Sequence, residues 1–214
     1  MKRKWIYLSG HFLIGILLKR IIKDINGLDN VPSNRAFLVV ANHESYIDPV
    51  IIKVIFDKHF GMNVYYLTKK ESFNNPFKRL FFESAGTIQI DRQLGESALE
   101  KAVEMAKSGE IIGMFPEGTR SKDGSLQRGK TGAVRIALSA KCLILPVGIN
   151  NTYEIWPRQK KLPSLRKEVV INIGKPISLV KYYDKLITRE LLREITDKDV
   201  MPEIARLSNQ EYDA

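Results

Sequence analysis

A chain of 214 residues with 44% apolar content can bury one hydrophobic core, and no linker, internal repeat or low-complexity tract marks a second domain. The single cysteine, Cys142, excludes an internal disulfide framework and a cysteine metal site, and the three scattered histidines, His11, His43 and His59, lack zinc-ligand spacing, so no metal is expected. A formal net charge of +10 implies an acidic counterpart, which narrows to nucleic acid, anionic lipid or acidic soluble groups.

The first predicted element chooses among these. Trp5 to Leu18 is apolar, with Lys2, Arg3 and Lys4 before it and Lys19 and Arg20 after it. As a helix it would be roughly 20 Å long, against about 30 Å for a bilayer core, so it is too short to span. Aromatic residues at one end and cations at both suit a helix lying in an anionic lipid surface. A helix packed on the domain is the plainer alternative. No small-x-small cleavage site supports a secretory signal.

Ala36 to Val40 is a short apolar, β-branched run and predicts a buried parallel strand. It leads into Asn42-His43-Glu44-Ser45-Tyr46-Ile47-Asp48, which sets a histidine and a carboxylate five residues apart. Imidazole titrates near physiological pH and can take and return a proton, while a neighbouring carboxylate fixes its tautomer and favours the imidazolium. Pro49 suits the first turn of a helix and disfavours helical geometry at Asp48, so Asp48 is expected to cap a helix from Pro49 to about Asp57. The intervening loop can fold His43 back onto Asp48. The plainer reading is a chance spacing, with Asp48 a cap and nothing more.

Further strands are predicted at Asn63 to Leu67, Thr87 to Ile90, Ile111 to Met114, Leu143 to Leu145 and Val169 to Ile173. Between them, Ala98, Leu99, Ala102, Val103 and Ala106 form one apolar helical stripe that Gly109 ends. This alternation predicts a single α/β domain with a mostly parallel central sheet flanked by helices, carrying the interfacial helix at its amino end. The expected division is 1–24 membrane-associating helix, 25–180 main domain and 181–214 peripheral helix with a fraying tail. Cys142 lies in the run Cys142 to Leu145 and is expected as a buried thiol in a reducing compartment.

Phe115-Pro116-Glu117-Gly118-Thr119-Arg120-Ser121 follows the Ile111 to Met114 strand, at the carboxyl-terminal strand end where ligands of open α/β sheets collect. Gly118 allows close backbone approach, Thr119 offers a hydroxyl, and Arg120 presents a planar fork for phosphate or carboxylate. A surface turn closed by a Glu117–Arg120 ion pair is the alternative.

Taken in order, the two segments resemble the glycerolipid acyltransferase family that includes 1-acylglycerol-3-phosphate O-acyltransferases, whose marks are N-H-x-x-x-x-D and F-P-E-G-T-R. Four weaker blocks also match: Thr68 to Glu71, with Ser72 where a leucine is usual, Gly86 to Arg92, Lys130 to Ala133, and Ile144 to Ile149. The resemblance covers Val31 to Lys175 and implies the same α/β architecture. It implies His43 as general base toward the free hydroxyl of a lysophospholipid and Asp48 as its orienting partner. Arg120 is the first choice for the acceptor phosphate, with Arg92 and Lys69 behind it, and Glu117, Gly118 and Thr119 shape the loop and the glycerol site. Lys69 can equally be a solvated charge.

The co-substrate is an acyl thioester, on coenzyme A or acyl carrier protein, with no cofactor. The expected setting is the cytoplasmic face of a membrane, as a peripheral, monotopic protein on anionic lipid. Three alternatives stay open: another lysophospholipid or glycerol 3-phosphate as acceptor, a lipid or thioester hydrolase in which the pair activates water, and a basic nucleic-acid-binding module. The last lacks a compact cationic tract interleaved with aromatics, and no nucleic-acid partner is expected.

Overall fold

The computed structural model describes residues 18–33, 36–69, 86–90, 95–160, 162–166 and 168–213. The interfacial helix expected from Trp5 therefore lies outside the described residues except for Leu18, and Lys70 and Arg92 lie outside them too.

Seven strands make one sheet: β1 (Ile22–Asn26), β2 (Phe37–Ala41), β3 (Val64–Lys69), β4 (Thr87–Ile90), β5 (Ile111–Met114), β6 (Leu143–Asn150) and β7 (Val169–Ile173), in the spatial order β1-β7-β6-β2-β5-β3-β4. Strands β6, β2, β5, β3 and β4 run parallel. β7 lies antiparallel to β6 and carries β1 alongside it in parallel, so one edge of the sheet is reversed. The helices are α1 (Asp48–Phe60), α2 (Gly95–Lys107), α3 (Gly132–Ala140), α4 (Thr152–Ile155), α5 (Arg189–Ile195) and α6 (Met201–Ser208). The single-domain, mostly parallel α/β fold expected from the sequence is the one observed.

Central position explains the composition of β2. All five of its residues are at most 1% exposed. Because strand side chains alternate, Phe37, Val39 and Ala41 enter one core layer and Leu38 and Val40 the other. The first layer is covered by α1, which contributes Val50, Ile51, Ile52, Ile55 and Phe56, each worth about 1.5–3 kcal/mol on full burial. The second is covered by α2, α3, α5 and α6. The stripe on α2 behaves as read: Ala102 and Ala106 are buried, and Gly109, at φ +90°, turns the chain out of the helix. Cys142 is a buried free thiol, and burial pushes it up to about 11.

Three features depart from the sequence reading. β1 was not anticipated, because Ile22-Lys23-Asp24-Ile25-Asn26 has the charged composition of an edge strand. β6 runs on to Asn150 through Pro146, and the Pro146 carbonyl accepts from the Gly174 amide at 2.9 Å. The segment after Lys181 is no fraying periphery: Leu192, Ile195, Val200, Met201, Ile204, Ala205 and Leu207 are all buried. α6 lies so close over β6 that a Cβ on Gly148 would stand 2.1 Å from the Leu207 carbonyl carbon. A π-turn at Thr196–Val200 joins α5 to α6.

Candidate active site

Register brings the two motifs together. Val40 of β2 pairs with Met114 of β5, so both strands deliver their following loops to the same edge of the sheet. The His43 backbone is then held by the second loop on both sides. Its amide donates to Glu117 Oε1 at 2.6 Å, and its carbonyl accepts from the Ser121 amide at 2.7 Å. Upstream, Asn42 bridges to β6 through both ends of its amide, donating to the Ile149 carbonyl at 2.8 Å and accepting from the Ile149 amide at 2.7 Å.

His43 Nδ1 lies 2.9 Å from Asp48 Oδ2. A carboxylate oxygen is an acceptor, so Nδ1 carries the proton and the lone pair is left on Nε2. Asp48 is fully buried, and the same Oδ2 also accepts from the Glu44 amide at 2.8 Å and the Ser45 amide at 2.7 Å. This corrects the capping role expected of Asp48. The helix already includes Asp48, Ile47 occupies the capping position, and the carboxylate reaches back to the upstream loop instead of forward to the first turn. The helix also continues to Phe60, ended by Gly61 at φ +64°.

Aromatic packing fixes the imidazole plane. Phe115 stacks on His43 with centroids 4.0 Å apart and 16° between planes, and Tyr66 stacks on Phe115 at 5.6 Å and 7°. Tyr66 fits because Gly113 has no side chain: a Cβ there would lie 2.3 Å from Tyr66 Cε1. The Tyr66 hydroxyl is held well above its ordinary range by burial and then by the Asp48 charge.

The second loop is organised by Glu117. It is 3% exposed and makes no ion pair with Arg120, its oxygens accepting from the amides of His43 and of Gln127 (3.1 Å). Burial raises it to about 7 against the pull of those two hydrogen bonds. Gly118 and Thr119 are exposed beyond it. Gly118 sits at φ +72°, which favours glycine, with the Lys130 ammonium above it. The Arg120 guanidinium lies over the Tyr46 ring, 3.4 Å from its centroid, and Tyr46 in turn packs against Trp156 at 5.5 Å. Stacking of this kind holds a fork in place while leaving its edge for an anion. The Nη1 nitrogen of Arg120 is buried and has no hydrogen-bond partner among the described residues.

Residues 23–150 match the Acyltransferase family, and both motif loops fall inside that stretch. The chain belongs to this family. Over 131 residues it is 31% identical to the 1-acyl-sn-glycerol-3-phosphate acyltransferase of Borreliella burgdorferi, covering 60% of this chain and 51% of that one, about half its length. It is 28% identical over 171 residues to the enzyme of that name from Bacillus subtilis, covering 79% and 80%. The crystal structure of the 1-acyl-sn-glycerophosphate (LPA) acyltransferase PlsC from Thermotoga maritima superposes with a TM-score of 0.69 at 26% identity, over 98% of this chain and 81% of that one.

Of the residues singled out in this acyltransferase sequence, His43, Asp48, Glu117, Gly118, Thr119 and Arg120 converge on one edge of the sheet. β3 ends at Lys69 on the same edge. The sequence reading missed Phe115, Tyr46 and Ser121, all lying within or beside the quoted motifs, and Tyr66, whose one available signal was the glycine opposite it. A cleft of about 550 Å³ opens behind the pair, against Glu44, Gly124 and Gln210, and neither His43 nor Arg120 lines it.

Proposed function

We propose that this acyltransferase moves a fatty acyl group from an acyl thioester to the free hydroxyl of 1-acylglycerol 3-phosphate, forming phosphatidic acid. The observation that carries the reading is the pairing of a histidine whose Nε2 keeps its lone pair with a stacked arginine whose buried Nη1 has no acceptor among the described residues, on loops hydrogen-bonded to each other. The names of the relatives from Borreliella burgdorferi and Bacillus subtilis support the same acceptor.

In this mechanism Arg120 holds the acceptor phosphate, with Arg92 and Lys69 as further cations. His43 Nε2 takes the proton of the glycerol hydroxyl as its oxygen attacks the thioester carbonyl, and the buried Asp48 carboxylate stabilises the imidazolium that forms. The tetrahedral adduct collapses, the carbon–sulfur bond breaks, and the imidazolium proton goes to the departing sulfur. The products are the new ester and a free thiol. No acyl-enzyme is formed and no cofactor takes part. Glu117 acts from below, fixing the His43 amide, while Gly118 and Thr119 border the glycerol. General base catalysis supplies about 10²- to 10⁴-fold, and holding both reactants in line supplies much of the remainder.

The donor is coenzyme A or acyl carrier protein, both acidic and both matched to the basic chain. The acceptor resides in a bilayer, and the Trp5 to Leu18 sequence with its flanking cations supports a peripheral position on the cytoplasmic face over anionic lipid. Among the described residues no helix is long and apolar enough to cross a membrane.

The test is to incubate the purified protein with labelled acyl-coenzyme A or acyl carrier protein, with and without lysophosphatidic acid. Acceptor-dependent labelled phosphatidic acid is the expected product. Free fatty acid released at the same rate without acceptor would replace this reading with hydrolysis, and a preference for glycerol 3-phosphate or another lysophospholipid would reassign the acceptor.

A further inference from the structure

Glu44 is the one carboxylate of the first motif loop with no part in the mechanism above, and it is 4% exposed. Its Oε1 accepts from Asn42 Nδ2 at 3.0 Å and from Gln210 Nε2, and its Oε2 accepts from the Tyr153 amide at 3.2 Å. A carboxyl group so deeply placed is costly unless its hydrogen bonds are met, and here they are met from three separate parts of the chain.

Gln210 comes from the far end of the sequence. α6 ends at Ser208, Asn209 turns the chain at φ +59°, and the Gln210 side chain then enters beneath the loops. Its amide nitrogen makes a second hydrogen bond, to the Gly124 carbonyl at 3.1 Å. Gly124 closes the turn that begins at Ser121, its amide donating to Ser121 Oγ at 2.9 Å. Both partners of Gln210 are acceptors, so only the amide's two N–H groups can serve them together. One side chain therefore joins the loop that bears His43 to the turn that follows Arg120.

We propose that Gln210 is a positioning residue for acyl transfer, clamping the His43 loop, through Glu44, to the Arg120 loop, through the Gly124 carbonyl. The clamp rests on the acyltransferase reading given above. The loops are already joined at His43, whose amide donates to Glu117 and whose carbonyl accepts from the Ser121 amide, and Gln210 adds a further fastening at a different residue, Glu44. Fastenings at His43 alone leave the loops free to hinge about that residue; a further one at Glu44 fixes the angle between them. That angle sets how far Nε2 stands from a hydroxyl whose phosphate is already held by Arg120, and a misplacement of about 1 Å at such a site can cost roughly 10²-fold in rate.

The experiment compares wild type, Gln210→Met and Gln210→Glu. Methionine keeps the length and removes both donors; glutamate, assayed above pH 8 where Glu44 is ionised, sets a third acceptor against the two already there. Gln210→Met is expected to lower kcat by roughly 10-fold or more and to raise the Michaelis constant for lysophosphatidic acid, with that for the thioester donor unchanged. Gln210→Glu is expected to be worse. Amide hydrogen exchange supplies the readout that mere stability would not move: His43 and Ser121 should exchange faster in Gln210→Met, while amides of α3 and β6 keep their protection. Wild-type-like turnover in Gln210→Met would overturn the clamp, as would unchanged exchange at His43 and Ser121 or a uniform loss of protection that follows a lowered unfolding midpoint. Failure of the wild type to form phosphatidic acid would overturn the functional reading, and the exchange measurement would still decide whether Gln210 fastens the loops.

Discussion

Phe115 lies face to face with His43, centroids 4.0 Å apart, and it is the first residue of the loop that carries Glu117 and Arg120. His43 and the loop that bears Arg120 thus share a wall. Replacing that wall by Phe115→Ala should lower kcat by about 10-fold or more through misalignment of the imidazole, with smaller effects on either Michaelis constant. Gly113→Ala should act in the same direction from two residues away, since its new methyl meets the Tyr66 ring that backs Phe115. Steady-state kinetics on folded variants checks both; unchanged kcat in Phe115→Ala would mean that Asp48 alone orients the base.

His43→Ala should remove nearly all turnover, a loss of about 10²- to 10⁴-fold, while acyl-donor binding measured directly stays close to normal. Asp48→Asn should be severely impaired too, because the amide can offer its NH₂ to Nδ1 and leave the wrong tautomer. Near-normal turnover in His43→Ala would rule out the assigned base.

Arg120→Ala should raise the Michaelis constant of the acceptor more than that of the donor. Arg120→Lys should rescue poorly, since an ammonium has neither the planar face that rests on Tyr46 nor the fork. Tyr46→Leu should produce a milder form of the same acceptor-specific defect. Equal effects on donor and acceptor would give Arg120 a different task.

The two buried glutamates make stability depend on pH. Burial raises Glu44 from 4.5 to about 8, with the Asp48 charge adding to it, and burial raises Glu117 from 4.5 to about 7. Between the unfolded and folded values the native state binds more protons than the unfolded chain, so stability falls as pH rises through that window and levels off above it. Urea unfolding midpoints should accordingly be higher at pH 5 than at pH 8.5, and Glu44→Gln should flatten the difference. A midpoint that rises with pH over this interval would contradict the assignment.

Removing residues 1–17 should weaken co-sedimentation with anionic vesicles. Leu18 is best retained, since it is 3% exposed in the core. Undiminished vesicle binding would locate the lipid contact elsewhere in the chain.

How much was legible follows from where the information sits. The buried strands β2 and β5 and the two loops after them are continuous stretches, so a hydrophobic run followed by a reactive residue pattern was enough to find them and to place them at one edge. The His43–Asp48 contact could be anticipated because five residues around a helix start leave few ways to fold. Other features depend on partners distant in sequence. β1 is polar because it lies at an edge, and its pairing with β7 joins residues about two thirds of the chain length apart. Glu117 was expected to shape its own loop, with an ion pair to Arg120 as the alternative, and it serves the His43 amide, 74 residues away. Gln210 carries no local signal at all: its meaning lies in a carboxylate 166 residues upstream.

The reversal of β7 against β6 has a consequence for anyone who would transplant this centre. The family match stops at residue 150, the last residue of β6, yet the outer flank of that strand is satisfied by β7 and its face is roofed by α6. A graft cut at that boundary would carry every residue of both loops and expose a raw edge open to pairing with other chains. Exchanging reactive centres among relatives therefore requires moving the closing third of the polypeptide with them.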